Sequence, residues 1–154
     1  MMSMKKNKNQ QSEPSELDLD RQVCHSLYSA ANALVRAYRQ TLEKLDLTYP
    51  QYVVMMSLWQ RDGVSISDLA QHTRFDAGTL TPLLRRLQDK NLIDVKVAEG
   101  DERCKVVSVS RQGRSLKKSA EKVPGQIACA VDMPAEDALK LKGLCETLVG
   151  KLKR

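Results

Sequence analysis

Residues 65–110 read SISDLAQHTRFDAGTLTPLLRRLQDKNLIDVKVAEGDERCKVVSVS. Ser65 to Asp68 has the form of a helix start, a hydroxyl followed three residues later by a carboxylate. A short helix is expected over 66–72, then a turn from Thr73 to Asp76, with Asp76 placed to cap the next helix. In that helix, expected from Ala77 to Lys90, Leu80, Leu83, Leu84 and Leu87 recur at i, i+3, i+4 and i+7 and form one apolar stripe. At ~100° per residue, Gly78, Thr81, Pro82, Arg85 and Arg86 fall away from the stripe. This outer face is small, hydroxylated and cationic, which suits the floor of a DNA major groove. Pro82 inside a helix costs up to ~3 kcal/mol. Gly78, four residues earlier, is read as relieving the crowding there. Ile93, Val95 and Val97 then alternate with polar residues, as do Val107 and Val109. Between them Glu99 to Arg103 reads as a hairpin tip. The unit is helix, turn, helix and wing.

Outward from this unit the pattern is helical. On the N-terminal side, a helix starting near Asp18 or Asp20 runs to about Leu45, through Val23, Leu27, Ala31, Leu34, Val35 and Leu42. A second spans about Pro50 to Arg61, with proline at its first position, where a missing N–H costs little. On the C-terminal side, one helix is expected from Arg111 to Val131, kinked at Pro124-Gly125, and another from Ala135 to Lys151. The stripe Leu141, Leu144, Leu148 and Leu152 and the long first helix exceed what a small winged module covers, so a homodimer is expected. Two recognition helices then meet half-sites about one turn (~34 Å) apart. The expected organisation is a disordered tail over 1–16, a helical dimerisation region over 17–48 and 111–154, and a winged helix-turn-helix over 49–110. The fold class is mainly α.

With 154 residues the chain is long enough for a core, and with one Trp and one Phe that core rests on aliphatic side chains. The net charge of +6 suits a polyanionic partner without proving one. The first sixteen residues lack an apolar stretch, so no secretory signal is read there. The run from Val53 to Trp59 is too short for a bilayer. A cytoplasmic protein without membrane contact is expected, its cysteines reduced by default. Cys24, Cys104, Cys129 and Cys145 have no metal-ligand spacing, so neither metal nor cofactor is expected. His25 and His72 are read as surface or capping residues, Tyr28 and Tyr52 as core, and Cys145 as packing.

Asp101-Glu-Arg103 followed by alternating valines, after a helix-turn-helix and between helices that dimerise, resembles the MarR family of winged-helix regulators. Three further stretches, Val23 to Tyr28, Arg36 to Arg39 and Leu47 to Tyr52, together with Asp76 to Leu84, resemble its OhrR subfamily, repressors that sense organic hydroperoxides through a cysteine. The resemblance implies that Cys24 is the peroxide-reactive thiol, that Tyr38 and Tyr49 hydrogen-bond its sulfur, and that Cys129 resolves the oxidised thiol as an intersubunit disulfide. It assigns DNA contacts to Asp76, Gly78, Thr79, Thr81, Pro82, Arg85 and the wing arginine, Arg103. Arg86 joins them from the outer-face reading, with a pairing to Asp89 or Asp101 as its alternative. The implied partners are double-stranded operator DNA, a second copy of the chain, and an organic hydroperoxide as inducer.

The chemistry is consistent with that implication. A thiol reacts with peroxide as its thiolate, and its pKa must fall below ~8.5. An early position in a helix favours the anion, as do phenol hydrogen bonds to sulfur. Tyr38 follows Cys24 by fourteen residues, ~21 Å along one straight helix. A contact between them would therefore cross to a partner subunit. Leu27, Tyr28, Val53 and Met56 are expected to line an apolar pocket that prefers alkyl hydroperoxides. Two other functions stand beside this one: a MarR-type repressor released by a small aromatic ligand, and a thiol peroxidase. No peroxidase motif is visible, and an enzyme leaves the basic wing unexplained.

Overall fold

The computed structural model describes residues 15–153. Of the tail expected over 1–16, all but Ser15 and Glu16 lies outside them. The chain divides within its first helix, between Val35 and Arg36, into two compact units.

The first unit opens with a 3-10 turn, Leu19–Arg21, ahead of α1, Val23–Glu43. Asp18 precedes the 3-10 turn but makes no side-chain cap. Its carboxylate instead accepts the Ser15 N–H at 2.9 Å. Within this unit Val23, Tyr28, Leu34 and Val35 are exposed. Tyr28, expected in the core, is 71% exposed.

The second unit holds the core. Its centre is α2, Tyr49–Gln60, which buries Tyr52, Val54, Met55 and Leu58. A sequence apolar on nearly every side suits a helix surrounded by others. The start of α2 is fixed by a capping box rather than by Pro50 alone. Thr48 Oγ1 accepts the Gln51 N–H, and Gln51 Oε1 accepts the Thr48 N–H at 3.0 Å. The buried amide of Gln51 thereby has its partner.

After α2 come β1 (Val64–Ser65), α3 (Ile66–Thr73), α4 (Ala77–Asp89), β2 (Ile93–Ala98) and β3 (Asp101–Val109). The strands form one antiparallel sheet in the order β1-β3-β2. The expected wing is present with a third strand, β1, which is too short to carry a period-2 signal. Val107 lies opposite both Val64 and Val95 and is fully buried. The hairpin turns at Glu99-Gly100, more tightly than the expected tip, with Gly100 at φ +85°. Ala98 pairs with Asp101 while Val97 pairs with Lys105, so residues 102–104 oppose nothing on β2. Such a bulge re-aims side chains, and it contains Arg103.

The helix expected over Arg111 to Val131 is two helices, α5 (Arg111–Ala120) and α6 (Val123–Val131). The break falls at Glu121-Lys122, not at the Pro124-Gly125 pair. The Pro124 ring collides with the carbonyl four residues back, at Ala120, so the helix must end before the proline. Pro124 then serves in the first turn of α6, where its missing N–H is harmless. α7, Ala135–Leu152, buries none of its residues.

α5 seats on the sheet through a glycine. A Cβ on Gly113 would stand 2.2 Å from the Leu92 carbonyl oxygen and 2.8 Å from Val109 Cγ1. The Trp59 indole N–H donates to the Gly113 carbonyl at 3.0 Å. Asp62 ties the same corner: its Oδ1 accepts the Val109 N–H at 2.7 Å.

Candidate nucleic-acid interface and thiol residues

α3 and α4 are held by the caps the sequence predicts. Ser65 Oγ accepts the Asp68 N–H at 3.0 Å and donates to Asp68 Oδ2 at 2.9 Å. α3 ends at Arg74, whose φ of +61° turns the chain toward Asp76. Asp76 Oδ1 accepts the Thr79 N–H at 2.8 Å, and Thr79 Oγ1 donates to Asp76 Oδ2 at 3.0 Å. These bonds from Thr79, backbone first, hold the Asp76 carboxyl below the usual carboxylate range. Two residues expected to touch DNA are thus already bonded to each other.

Gly78 has a different reason from the one expected. A Cβ there would meet Asp76 Oδ1 at 3.2 Å, and no Pro82 side-chain atom lies within 4 Å of it. The proline ring crowds the Gly78 carbonyl, which any residue carries. The small side chain makes room for the cap instead.

Leu80, Leu83, Leu84 and Leu87 are buried, and Gly78, Thr79, Thr81, Pro82, Arg85 and Arg86 are exposed. α4 therefore has the two faces the spacing predicts. Among the described residues neither Arg85 nor Arg86 forms an ion pair, so the alternative pairing of Arg86 with Asp89 or Asp101 is not realised. Arg103 is exposed on the wing, its N–H donating to Asp101 Oδ1 at 3.0 Å.

The structure brings Tyr38 and Tyr49 together. Their ring centroids lie 4.7 Å apart at 51°, and Tyr52 is 6.1 Å from Tyr38. Burial, then the neighbouring Tyr49, pushes the Tyr38 phenol up from its ordinary value. Burial followed by Tyr38 and Tyr49 does the same to Tyr52. Tyr38 and Tyr52 consequently stay O–H donors at neutral pH. Tyr52 is in the core as expected.

All four cysteines are free thiols. Cys24 is exposed in the first turn of α1, in the first unit, and Cys129 is exposed on α6, in the second. Cys104 and Cys145 are half-buried. Two contacts have no signal in the sequence. His72 is exposed, as expected of a surface residue, and its Nδ1 also meets the buried Ser57 hydroxyl at 2.6 Å, across fifteen residues. Arg74 donates to both carboxylate oxygens of Glu146 on α7, at 3.4 and 2.7 Å, across seventy-two. Among the described residues no group of three or more His, Cys, Asp or Glu side chains is placed to hold a metal ion. No described helix is long and apolar enough to cross a membrane.

Comparison with known proteins agrees with this geometry. The MarR family model matches residues 47–105. The organic hydroperoxide resistance transcriptional regulator of Bacillus subtilis is 34% identical over 136 residues, 88% of this chain and 92% of its own. Overoxidised AbfR bound to DNA has a TM-score of 0.72 at 25% identity, covering 87% of this chain and 95% of its own. AbfR is a Staphylococcus epidermidis protein. BpsR of Bordetella bronchiseptica, whose DNA binding is regulated by 6-hydroxynicotinic acid, has a TM-score of 0.79 at 24% identity, covering 88% and 97%.

Proposed function

The chain belongs to the MarR family of winged-helix transcriptional regulators, and from that premise we propose a homodimeric repressor switched by oxidation of Cys24. Residues 49–110 bind operator DNA, and 17–48 with 111–154 form the dimer. In the reduced dimer each α4 enters a major groove, presenting Gly78, Thr79, Thr81, Pro82, Arg85 and Arg86, with Asp76 fixing its start. Arg103 on each wing enters the flanking minor groove. Lysine and arginine contacts to phosphate supply affinity that falls with salt.

The observation that carries the thiol reading is the pairing of Tyr38 with Tyr49, two phenols from α1 and α2 whose rings lie 4.7 Å apart. Hydrogen bonds from such a pair stabilise a thiolate. Cys24 shares α1 with Tyr38, fourteen residues away, and residues so spaced on one helix cannot touch. The family resemblance makes Cys24 the thiolate that the pair serves, and the spacing then assigns the contact to Cys24 of the partner subunit. The similarity to a regulator of organic hydroperoxide resistance supports the choice of oxidant.

The Cys24 thiolate attacks the peroxide O–O bond, takes one oxygen as sulfenic acid and releases an alkoxide, which water protonates. The Cys129 thiolate of the partner subunit then attacks that sulfur. An S–S bond forms, the S–O bond breaks, and hydroxide leaves. The crosslink draws α1 and α6 of opposite subunits together and changes the spacing of the recognition helices. Near-complete release requires the two states to differ by about 5 kcal/mol in DNA affinity. A thiol reductant reverses the bond and restores binding.

The test is operator binding with and without cumene hydroperoxide. Cys24→Ser is expected to stay bound under oxidant, and release equal to wild type would remove Cys24 from the switch. Cys129→Ser is expected to form the sulfenic acid but no crosslinked dimer on a nonreducing gel. Release by an aromatic acid with no response to peroxide would favour the ligand-controlled alternative.

A further inference from the structure

Beside the helix-turn-helix lies an open cleft of about 520 Å³. Three cations from three places in the chain line it: Arg61 at the end of α2, Arg74 at the end of α3, and Lys153 just past α7. The carboxylate in its wall, Asp68, already accepts the Ser65 hydroxyl. Deeper in the wall the buried Ser57 hydroxyl meets His72. Among the described residues Arg61 and Lys153 form no ion pair, whereas the Arg74 guanidinium fork is occupied by Glu146.

We propose that this cleft binds a small oxyanion, a phosphate or a short carboxylate, which displaces Glu146 from Arg74. Glu146 shows what the fork accepts: two oxygens of one anionic group, taken by the two terminal nitrogens. The pair is nearly half exposed on both sides, so it is weak and exchangeable. Glu146 pairs with Arg74 and feels the nearby Lys153 charge; an anion seated in the cleft meets Arg61 in addition to both. Arg74 stands two residues before Asp76, the cap of α4. Occupancy of the cleft therefore acts on the turn that sets the recognition helix, and it unties that turn from α7. This input to DNA binding is separate from thiol chemistry.

The experiment is calorimetric titration of the full chain with inorganic phosphate, and separately with succinate, at ionic strength held constant with chloride. Saturable binding is expected. The double variant Arg61→Gln/Lys153→Gln weakens it by at least about tenfold, the loss of two charge-assisted contacts. Glu146→Gln tightens it by about threefold or more, because the competing carboxylate is gone. Lys96→Gln, a charge lost elsewhere, leaves it unchanged. Circular dichroism checks that each variant is folded. No saturable binding of either anion, or binding indifferent to these substitutions, overturns the proposal. The anion also has to be a free one. If the double variant lowers the salt slope of operator binding by about two, the cleft takes DNA phosphates and the proposal fails. Cys24→Ser is expected to bind the anion as wild type does, so failure of the thiol switch and failure of this site are told apart.

Discussion

α4 and α7 are both amphipathic by sequence, yet the chain completes only one of them. Every leucine of the α4 stripe is buried, two of them fully, while Leu139, Leu144 and Leu152 of α7 are 69–75% exposed. The start of α1 shows the same deficit, with Val23 70% exposed. The winged unit is covered by its own strands and helices. The terminal helices carry apolar surface that their own chain does not cover. Large apolar side chains left exposed in such number mark a surface that a partner takes. The finished region presents polar and cationic groups to DNA. In the proposed homodimer the leucines left uncovered on α1 and α7 are the surface that a second copy of the chain takes, and Cys24 and Cys129 are both exposed.

The largest effect that breaks this contrast is loss of the dimer. Leu144→Glu with Leu148→Glu places two charges on the uncovered face. Sedimentation is expected to show monomers at micromolar concentration, with operator affinity falling by at least about a hundredfold as one half-site is lost. An unchanged dimer would mean that α7 is not its interface. Inside the covered region Gly113→Ala is the most damaging single change, because the new methyl overlaps the Leu92 carbonyl. A loss of about 2–3 kcal/mol is expected, read as a fall in Tm of roughly 5–10 °C with the dimer retained.

Arg85→Ala leaves folding intact and is expected to weaken operator binding by about tenfold, with relaxed sequence preference at the base it reads. A weakening that is equal on all sequences would reassign Arg85 to phosphate. The smallest effect concerns Asp76. Its pKa is lowered in the folded state, so its stabilising contribution is present above the unfolded value of about 3.9 and is lost as pH falls through the folded value. Asp76→Asn keeps a capping oxygen but not the charge, and is expected to lower stability slightly at neutral pH while flattening acid unfolding below about pH 4. An identical acid limb in both proteins would contradict this account of the cap.

What could be read from the sequence follows from range. The α4 stripe, the Asp76 and Ser65 caps and the wing valines are local patterns, set by residues within a turn or a strand of each other. β1 escaped because two residues cannot show a period, and its pairing with β3 is forty-odd residues distant. The break between α5 and α6 was displaced because a proline acts on the carbonyl four residues before it, not at its own position. The site divides in the same way. Its residue types were legible, and the family resemblance supplied their roles. The Tyr38–Tyr49 contact depends on how α1 meets α2. The Arg74–Glu146 pair and the Ser57–His72 bond join residues with no pattern between them.

The two regions meet in one measurement: operator affinity of the reduced wild-type dimer, by fluorescence anisotropy, before and after one equivalent of cumene hydroperoxide, with Cys24 oxidation followed by mass spectrometry. The account predicts a fall of several thousandfold, the ~5 kcal/mol that near-complete release requires, that tracks Cys24 oxidation and reverses with a thiol reductant. Undiminished affinity with Cys24 fully oxidised would contradict it.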